Sequence, residues 1–201
     1  MDITYLGAGS VKVSGKQITV ISDPIASASK ADVVLLSTED YKFDGETAMV
    51  IDGPGEYEVK GSMITGVPAR LHIDEDGERG AVYSLVVDGV NVVVAGNIAG
   101  KIAEDEVEKL GQVDVLVVPV GGGGLTLDAE GAAAVVTQLE PSYVVPVHFD
   151  DGLTKYEVPQ SKVDLFLKEM GVSPEPESKL RINQKEPPAE TQVVFLTRAG
   201  S

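Results

Sequence analysis

The two histidines have the broadest chemistry of any residues in this 201-residue chain, because an imidazole binds metals and exchanges protons near neutral pH. His148 ends the apolar segment SYVVPVH and is followed by Phe149, Asp150 and Asp151. Residues just past the carboxyl end of a strand line the ligand crevice of an open α/β sheet. His148 is therefore either a site residue or a core histidine held by backbone groups. His72 lies in the charged segment RLHIDEDGERG, where a solvated histidine is the simpler interpretation.

Four consecutive glycines form the second candidate feature. Gly121, Gly122, Gly123 and Gly124 stand between an apolar strand and a helical segment, the usual place of a phosphate-binding turn. The segment lacks the Lys-Ser/Thr pair of a P-loop, and glycine is also the default residue of an awkward strand-to-helix turn. The chain has no G-x-S-x-G motif that would indicate a nucleophilic triad.

Composition narrows the class of protein. The chain has 32 Asp and Glu against 16 Lys and Arg, a formal charge of −16, which disfavours nucleic acid, anionic membranes and phosphate-rich partners. The absence of cysteine excludes disulfides, thiolate metal sites and a cysteine nucleophile. No apolar run approaches the ~18 residues of a membrane span, and the N-terminus lacks the basic-then-apolar pattern of a secretory signal. We therefore expect an acidic, cytoplasmic protein with no nucleic-acid or membrane partner.

The elements that must position these residues change in character along the chain. Short apolar segments separated by turn residues predict strands through the first half, including a hairpin around Asp88-Gly89. The second half alternates buried strands (VDVLVVPV, SYVVPVHF) with helical patterns at Ile98–Leu110, DAEGAAAVVTQLE and SKVDLFLKEMG. Two closing strands, KLRINQ and TQVVFLT, follow. This order predicts an α/β protein with two sheets and helices packed outside them, as a single domain over residues 1–201.

The motifs ITYLGAGS, SDP, ADVVLLSTEDYKF, GPGEYEVKG, VVVAGN, VDVLVVPVGG and EPSYVVPVHF occur in an order that resembles the metallo-β-lactamase superfamily. Within it, the chain is similar to the small bacterial metal-dependent hydrolases related to ascorbate-phosphate lactonase. The resemblance covers nearly the whole chain. It implies an αββα sandwich of two mixed sheets with the site along one edge, two metal ions held by histidines and aspartates, and a bridging hydroxide as nucleophile.

The motif positions that would carry these ligands are mostly substituted. The superfamily's H-x-H-x-D-H motif follows a buried strand, which here is VVLLS, so that Thr38 and Asp40 stand at its first two histidine positions. Lys42 stands at the aspartate position and Phe43 at the last histidine position, while Asn97 replaces the bridging aspartate. Lys42 would repel a divalent cation by several kcal/mol at an effective dielectric constant of ~20. The resemblance therefore implies a degenerate metal site.

Three interpretations remain open. The favoured one is a non-catalytic pseudo-hydrolase with no cofactor that binds a small molecule or a protein partner. The second is a hydrolase that holds one zinc or manganese ion through Asp40, His72 and His148 and activates a water. The third is an anion-binding module in which Lys42 and Gly121 to Gly124 hold a carboxylate or phosphate. Because Asp40 and Lys42 are two residues apart, an extended segment would also let them pair on one side, near His148.

Overall fold

The computed structural model describes residues 1–25, 30–72, 79–183 and 187–200. Two mixed β-sheets face each other, which confirms the predicted sandwich architecture. The strands of the first sheet are β1 (Asp2–Gly7), β2 (Ser10–Ser14), β3 (Thr19–Ser22), β4 (Ala31–Leu35), β5 (Thr47–Ile51) and β12 (Leu180–Arg181). The strands of the second sheet are β6 (Gly55–Val59), β7 (Ser62–Ala69), β8 (Gly80–Val87), β9 (Val90–Val94), β10 (Val115–Pro119), β11 (Tyr143–Val147) and β13 (Gln192–Val193).

The first sheet has the order β12-β1-β2-β3-β4-β5. Strands β1, β2 and β3 form the predicted antiparallel meander, while β4 runs parallel to both β3 and β5. Strand β1 shows the alternation that sets its register, because Ile3 and Tyr5 are buried and their sequence neighbours are partly exposed. This alternation turns one face of the sheet toward the core.

The second sheet has the order β13-β11-β10-β9-β8-β7-β6. Its strands β6 to β9 are antiparallel, and Asp88 and Gly89 form the predicted tight turn between β8 and β9 with φ angles of 51° and 77°. Strands β9, β10, β11 and β13 are parallel to one another. All five residues of β10 are buried, as expected for a parallel strand covered on both faces.

Three helices lie among the described residues: α1 (Glu104–Leu110), α2 (Ala129–Leu139) and α3 (Val163–Glu169). Helix α1 packs on β7, α2 packs on β10, and α3 packs on α2. The Asp128 side chain caps α2 by accepting a hydrogen bond from the Gly131 backbone N–H, 2.8 Å away. None of the described helices is long and apolar enough to cross a membrane.

Two predicted elements have different bounds in the structure. The helical spacing from Ile98 yields a helix only from Glu104, because the backbone before it makes tertiary hydrogen bonds. The Ala99 N–H donates to the Arg70 carbonyl at 2.9 Å, and both backbone polar groups of Ile102 pair with the Gln138 side chain. The two closing strands are also shorter than predicted, since β12 and β13 have two residues each.

Candidate functional site

A cleft of about 700 Å³ lies at one edge of the sandwich, where several loops that follow strand ends meet. Asn97 follows β9 and His148 follows β11, and these strands belong to the parallel part of the second sheet, so their carboxyl ends share one edge. Thr38 and Asp40 enter the cleft from the loop after β4, and His72 enters it from the loop after β7. Five residues that the sequence singled out therefore line one cleft.

His148 is held rigidly at the floor of this cleft. It adopts a left-handed backbone with φ of 51°, a conformation that costs a non-glycine residue on the order of 1–3 kcal/mol. Its backbone N–H donates to the Ala8 carbonyl at 2.6 Å, and its ring packs against Tyr156 with centroids 4.9 Å apart. The side chain is therefore fixed in place by both its backbone and its aromatic neighbour.

The imidazole of His148 is buried and neutral. Burial lowers its pKa from the usual value, and the nearby Gln160 side chain offsets this effect only in part. Within the described part of the chain, neither Nδ1 of His148 nor Oε1 of Gln160 has a hydrogen-bond partner of acceptable geometry. His148 thus supplies an uncharged ring at neutral pH.

Tyr41 and Asn97 form the polar part of the floor. The Asn97 amide nitrogen donates to the Tyr41 hydroxyl oxygen at 3.3 Å. Both side chains lie above Gly9, where an added Cβ would sit 3.4 Å from the Tyr41 hydroxyl, 3.9 Å from Asn97 Oδ1 and 3.8 Å from His148 Cδ2. Burial, reinforced by the charge of Asp23, raises the pKa of Tyr41 well above its usual value, so the phenol stays protonated. Three uncharged groups therefore converge near one point.

The loop after β4 is a turn and not an extended segment. The Tyr41 N–H donates to the Thr38 carbonyl at 3.3 Å, and the Asp40 N–H donates to Thr38 Oγ1 at 3.0 Å. Thr38 is buried, whereas Asp40 is exposed at the cleft rim. This turn removes the two-residue alternation on which the expected Asp40–Lys42 pair depended.

Lys42 lies outside the lining of the cleft, and so does Phe43. Lys42 is exposed, and no hydrogen bond or ion pair joins it to any residue in the described ranges. The pairing of Lys42 with Asp40 near His148 is therefore wrong for this structure.

The four glycines form a turn that packs against a neighbouring loop. Gly122, Gly123 and Gly124 have positive φ angles of 68°, 66° and 74°, which explains why glycine is needed there. The Gly122 N–H donates to the Leu127 carbonyl, and Gly121 lies so close to the His148 carbonyl that a Cβ would overlap it. Neither these glycines nor Lys42 line the cleft, so the structure does not bring the predicted anion-binding set together there.

A buried carboxyl group supports the loop that carries Thr38 and Tyr41. Asp23 accepts hydrogen bonds from both the backbone N–H and the hydroxyl of Ser37, each at 2.7 Å. Burial raises the pKa of Asp23 to about 7, and the two hydrogen bonds from Ser37 limit the rise. Gly96 lies against Ser37 on the other side, where a side chain would not fit. Asp23 therefore ties the end of β3 to the end of β4 behind the cleft.

The donor set does not fit a shared metal ion. Among the residues that the structure describes, no three His, Cys, Asp or Glu side chains are grouped so that they could hold one. A zinc site needs about four nitrogen, oxygen or sulfur ligands in fixed geometry. Asp40 and His72 are exposed at the rim, while the inner positions carry the neutral groups of Thr38, Asn97 and Tyr41.

The comparisons with known proteins establish the family. A family model described as "Beta-lactamase superfamily domain" matches residues 2–148. A protein described as a candidate zinc-dependent hydrolase of the metallo-β-lactamase superfamily from Thermotoga maritima is 30% identical in sequence. Its crystal structure superposes with a TM-score of 0.81 over 97% of each chain. The chain belongs to the metallo-β-lactamase superfamily, which confirms the resemblance.

Curated relatives agree with this assignment. A protein described as a UPF0173 metal-dependent hydrolase from Pyrococcus horikoshii is 34% identical over 153 residues, which cover 73% of this chain and 62% of that protein. A second UPF0173 protein, from Thermococcus onnurineus, is 35% identical over 48% of this chain and 44% of its own length. The chain thus spans roughly half the length of the curated relatives it matches.

Sequence reasoning missed three residues of the site. Tyr41 stood in a spacer position of the motif, between Asp40 and Lys42, and only the turn brings its hydroxyl to Asn97. Tyr156 lies in a loop without a motif, and no sequence signal pointed to its contact with His148. Asp23 entered the sequence analysis only as part of the motif SDP, although an acidic residue directly after an apolar strand was a visible signal for a buried carboxyl group.

Proposed function

We propose that this protein is a non-catalytic member of its superfamily whose cleft binds a small molecule in place of the metal-dependent chemistry of its relatives. The observation that carries the proposal is the convergence of three uncharged groups, from Tyr41, Asn97 and His148, at the cleft floor. A dinuclear metal centre needs anionic ligands at its centre to offset the charge of the ions. A neutral floor instead favours recognition by hydrogen bonds.

The substitutions that the sequence shows support the same proposal. Relative to the superfamily motif, a hydroxyl (Thr38) and an apolar ring (Phe43) stand where two imidazoles would be, and Asn97 lacks the charge of a bridging carboxylate. Lys42 stands in place of the aspartate of the motif, and its side chain is exposed to solvent. Each of these four changes removes a strong metal donor, and among the motif positions only Asp40 replaces a histidine with another such donor.

The second candidate function is a single-metal hydrolase that uses Asp40, His72 and His148. The observation in its favour is that all three line the same cleft. Against it, Asp40 and His72 are exposed at the rim while the His148 imidazole is buried. Gathering them around one ion would require the loops that carry them to move.

Hydrolysis assays separate the two candidates. We expect the protein, with added Zn²⁺ or Mn²⁺, to hydrolyse an activated phosphodiester such as bis-p-nitrophenyl phosphate, and an activated lactone, no faster than its own His148→Ala variant does. Thermal melts of both proteins serve as the control for folding. A rate at least tenfold above that of His148→Ala, abolished by Asp40→Ala and by His72→Ala, would instead establish the single-metal hydrolase.

A further inference from the structure

The polar groups of the floor offer hydrogen bonds to a ligand without offering charge. The hydroxyl of Tyr41 and the amide of Asn97 are each partly exposed, and they are bonded to each other at 3.3 Å. In either orientation of the amide, this pair keeps two unused donors and at least one unused acceptor. No further hydrogen bond to the Tyr41 hydroxyl or to the Asn97 side chain comes from the described residues. A ligand that both donates and accepts would therefore satisfy them together.

The wall beside these groups is apolar and aromatic. The ring of Tyr156 covers that of His148, and its own hydroxyl is already used, donating to the Phe149 carbonyl at 3.1 Å. Further apolar surface in the lining comes from Ala8, Ile25, Leu71 and Leu125. A wall of this kind contacts the C–H face of a ring, while the floor receives its polar edge.

The floor offers an anion no compensating charge. The two carboxylates that line the cleft, Asp40 and Glu157, are exposed at its rim. Lys155 brings a positive charge, but it is exposed to solvent. A negatively charged group placed on the floor would lose hydration, and neither the Tyr41–Asn97 pair nor the neutral imidazole of His148 would supply a positive charge in exchange.

The same geometry would stabilise a bound cation only weakly. Among the residues that the structure describes, none places a carboxylate on the floor, and the side chains of Asp40 and Glu157 are exposed, so solvent screens their attraction. An ammonium group on the floor would lose its water and find an amide oxygen and a neutral imidazole in exchange. Charge of either sign is therefore unfavourable at this position.

We propose that the ligand of this cleft is a neutral, ring-shaped polyhydroxyl compound, a sugar-like molecule whose hydroxyls pair with Tyr41 and Asn97 and whose C–H face packs on Tyr156. This inference rests on the proposed function and specifies its ligand class. A cleft of about 700 Å³ accommodates one such ring with space for a substituent. The proposal concerns ligand binding only and includes no chemical reaction.

Three probes that share one ring test the ligand class directly. D-glucose is neutral, D-glucuronate adds a carboxylate, and D-glucosamine adds an ammonium group. In NMR titrations to 50 mM with EDTA present, we expect glucose to bind saturably, and at least tenfold more tightly than either charged relative. No saturable binding of glucose, or tighter binding of glucuronate or glucosamine, would overturn the inference.

Two variants assign the binding to the floor. Tyr41→Phe removes the hydroxyl and is expected to weaken glucose binding at least tenfold, while Tyr143→Phe, at the start of β11 and outside the cleft, leaves it unchanged. Asn97→Asp adds a charge to the floor and is expected to reverse the preference from glucose to glucosamine. If both floor variants fold and bind all three probes as the parent does, the inference fails. Cleft-dependent hydrolysis or bound metal would contradict the proposed function instead, so the two failures are distinguishable.

Discussion

Replacing Asp23 by asparagine is expected to remove a pH-dependent loss of stability that amounts to about 4 kcal/mol between pH 4 and pH 8. Burial raises the pKa of this carboxyl group from 3.8 to about 7 in the folded protein. One pKa unit corresponds to roughly 1.4 kcal/mol, which sets the size of the effect. Asparagine keeps a similar shape, can still accept from the Ser37 N–H, and carries no charge at any pH.

The sign follows from proton linkage. Between pH 4 and pH 7 the folded state holds a proton on Asp23 that the unfolded chain has released, so the free energy of unfolding falls as the pH rises. The stabilisation that Asp23 contributes is fully present below the pKa of its carboxyl group in the unfolded chain. It is lost as the pH rises through the pKa of the same group in the folded protein. Carboxyl groups whose pKa is lowered by partners, such as Asp2 and Asp32, act in the opposite direction but cancel in a comparison of parent and variant.

Urea unfolding at half-unit pH steps measures this difference. We expect the stability of Asp23→Asn to rise relative to the parent as the pH increases from 4 to 8. Asp164→Asn, which removes one exposed carboxylate from the first turn of α3, controls for the change in net charge. Parallel curves for the parent and Asp23→Asn would show that Asp23 is not a buried group with a raised pKa.

A side chain at Gly121 is expected to destabilise the protein by about 3 kcal/mol, the upper part of the usual range for overpacking. A Cβ there would overlap the His148 carbonyl oxygen and would sit 2.7 Å from Gln160 Oε1. The His148 backbone cannot move away freely, because its N–H is bonded to Ala8 and the Gly121 carbonyl accepts from the Ser161 N–H at 2.8 Å. The variant Gly121→Ala should therefore also disturb the contact between His148 and Tyr156.

Gly100→Ala provides the matched control for this variant. No heavy atom outside its own chain neighbours lies within 4 Å of a Cβ built at Gly100, and its backbone is not left-handed. We expect its stability to stay within about 0.5 kcal/mol of the parent. Equal unfolding midpoints in urea, at equal m-values, for Gly121→Ala and Gly100→Ala would contradict the close packing behind His148.

The sheets were largely predictable because local patterns and tertiary structure agree there. Apolar runs and turn residues located most strands, and Asp88-Gly89 located the hairpin between β8 and β9. Strand β4 ends at Leu35, two residues earlier than predicted, because the Ser37 N–H pairs with the Asp23 carboxylate instead of with a neighbouring strand. Nothing within the segment VVLLS encodes that distant partner.

The candidate site was only partly predictable for the same reason. The resemblance located Asp40, Asn97 and His148 at one cleft, because strand order fixes which loops meet. The two-residue spacing of Asp40 and Lys42 suggested the wrong conformation for the segment that follows β4, since a turn closed by Thr38 leaves Lys42 in solvent and brings Tyr41 to Asn97. Side-chain direction in a loop depends on such hydrogen bonds, and residue spacing does not reveal them.

The metal content of the purified protein shows whether this cleft is a metal site. Protein prepared without a histidine tag would be incubated with Zn²⁺ or with Mn²⁺, dialysed, and analysed for metal beside a thermal melt. We expect less than about 0.1 metal ion per chain and a melting temperature unchanged by either ion, since a ligand that binds only the folded state must raise the melting temperature. Near-stoichiometric metal with a raised melting temperature, both lost in the His148→Ala variant, would contradict the proposed function.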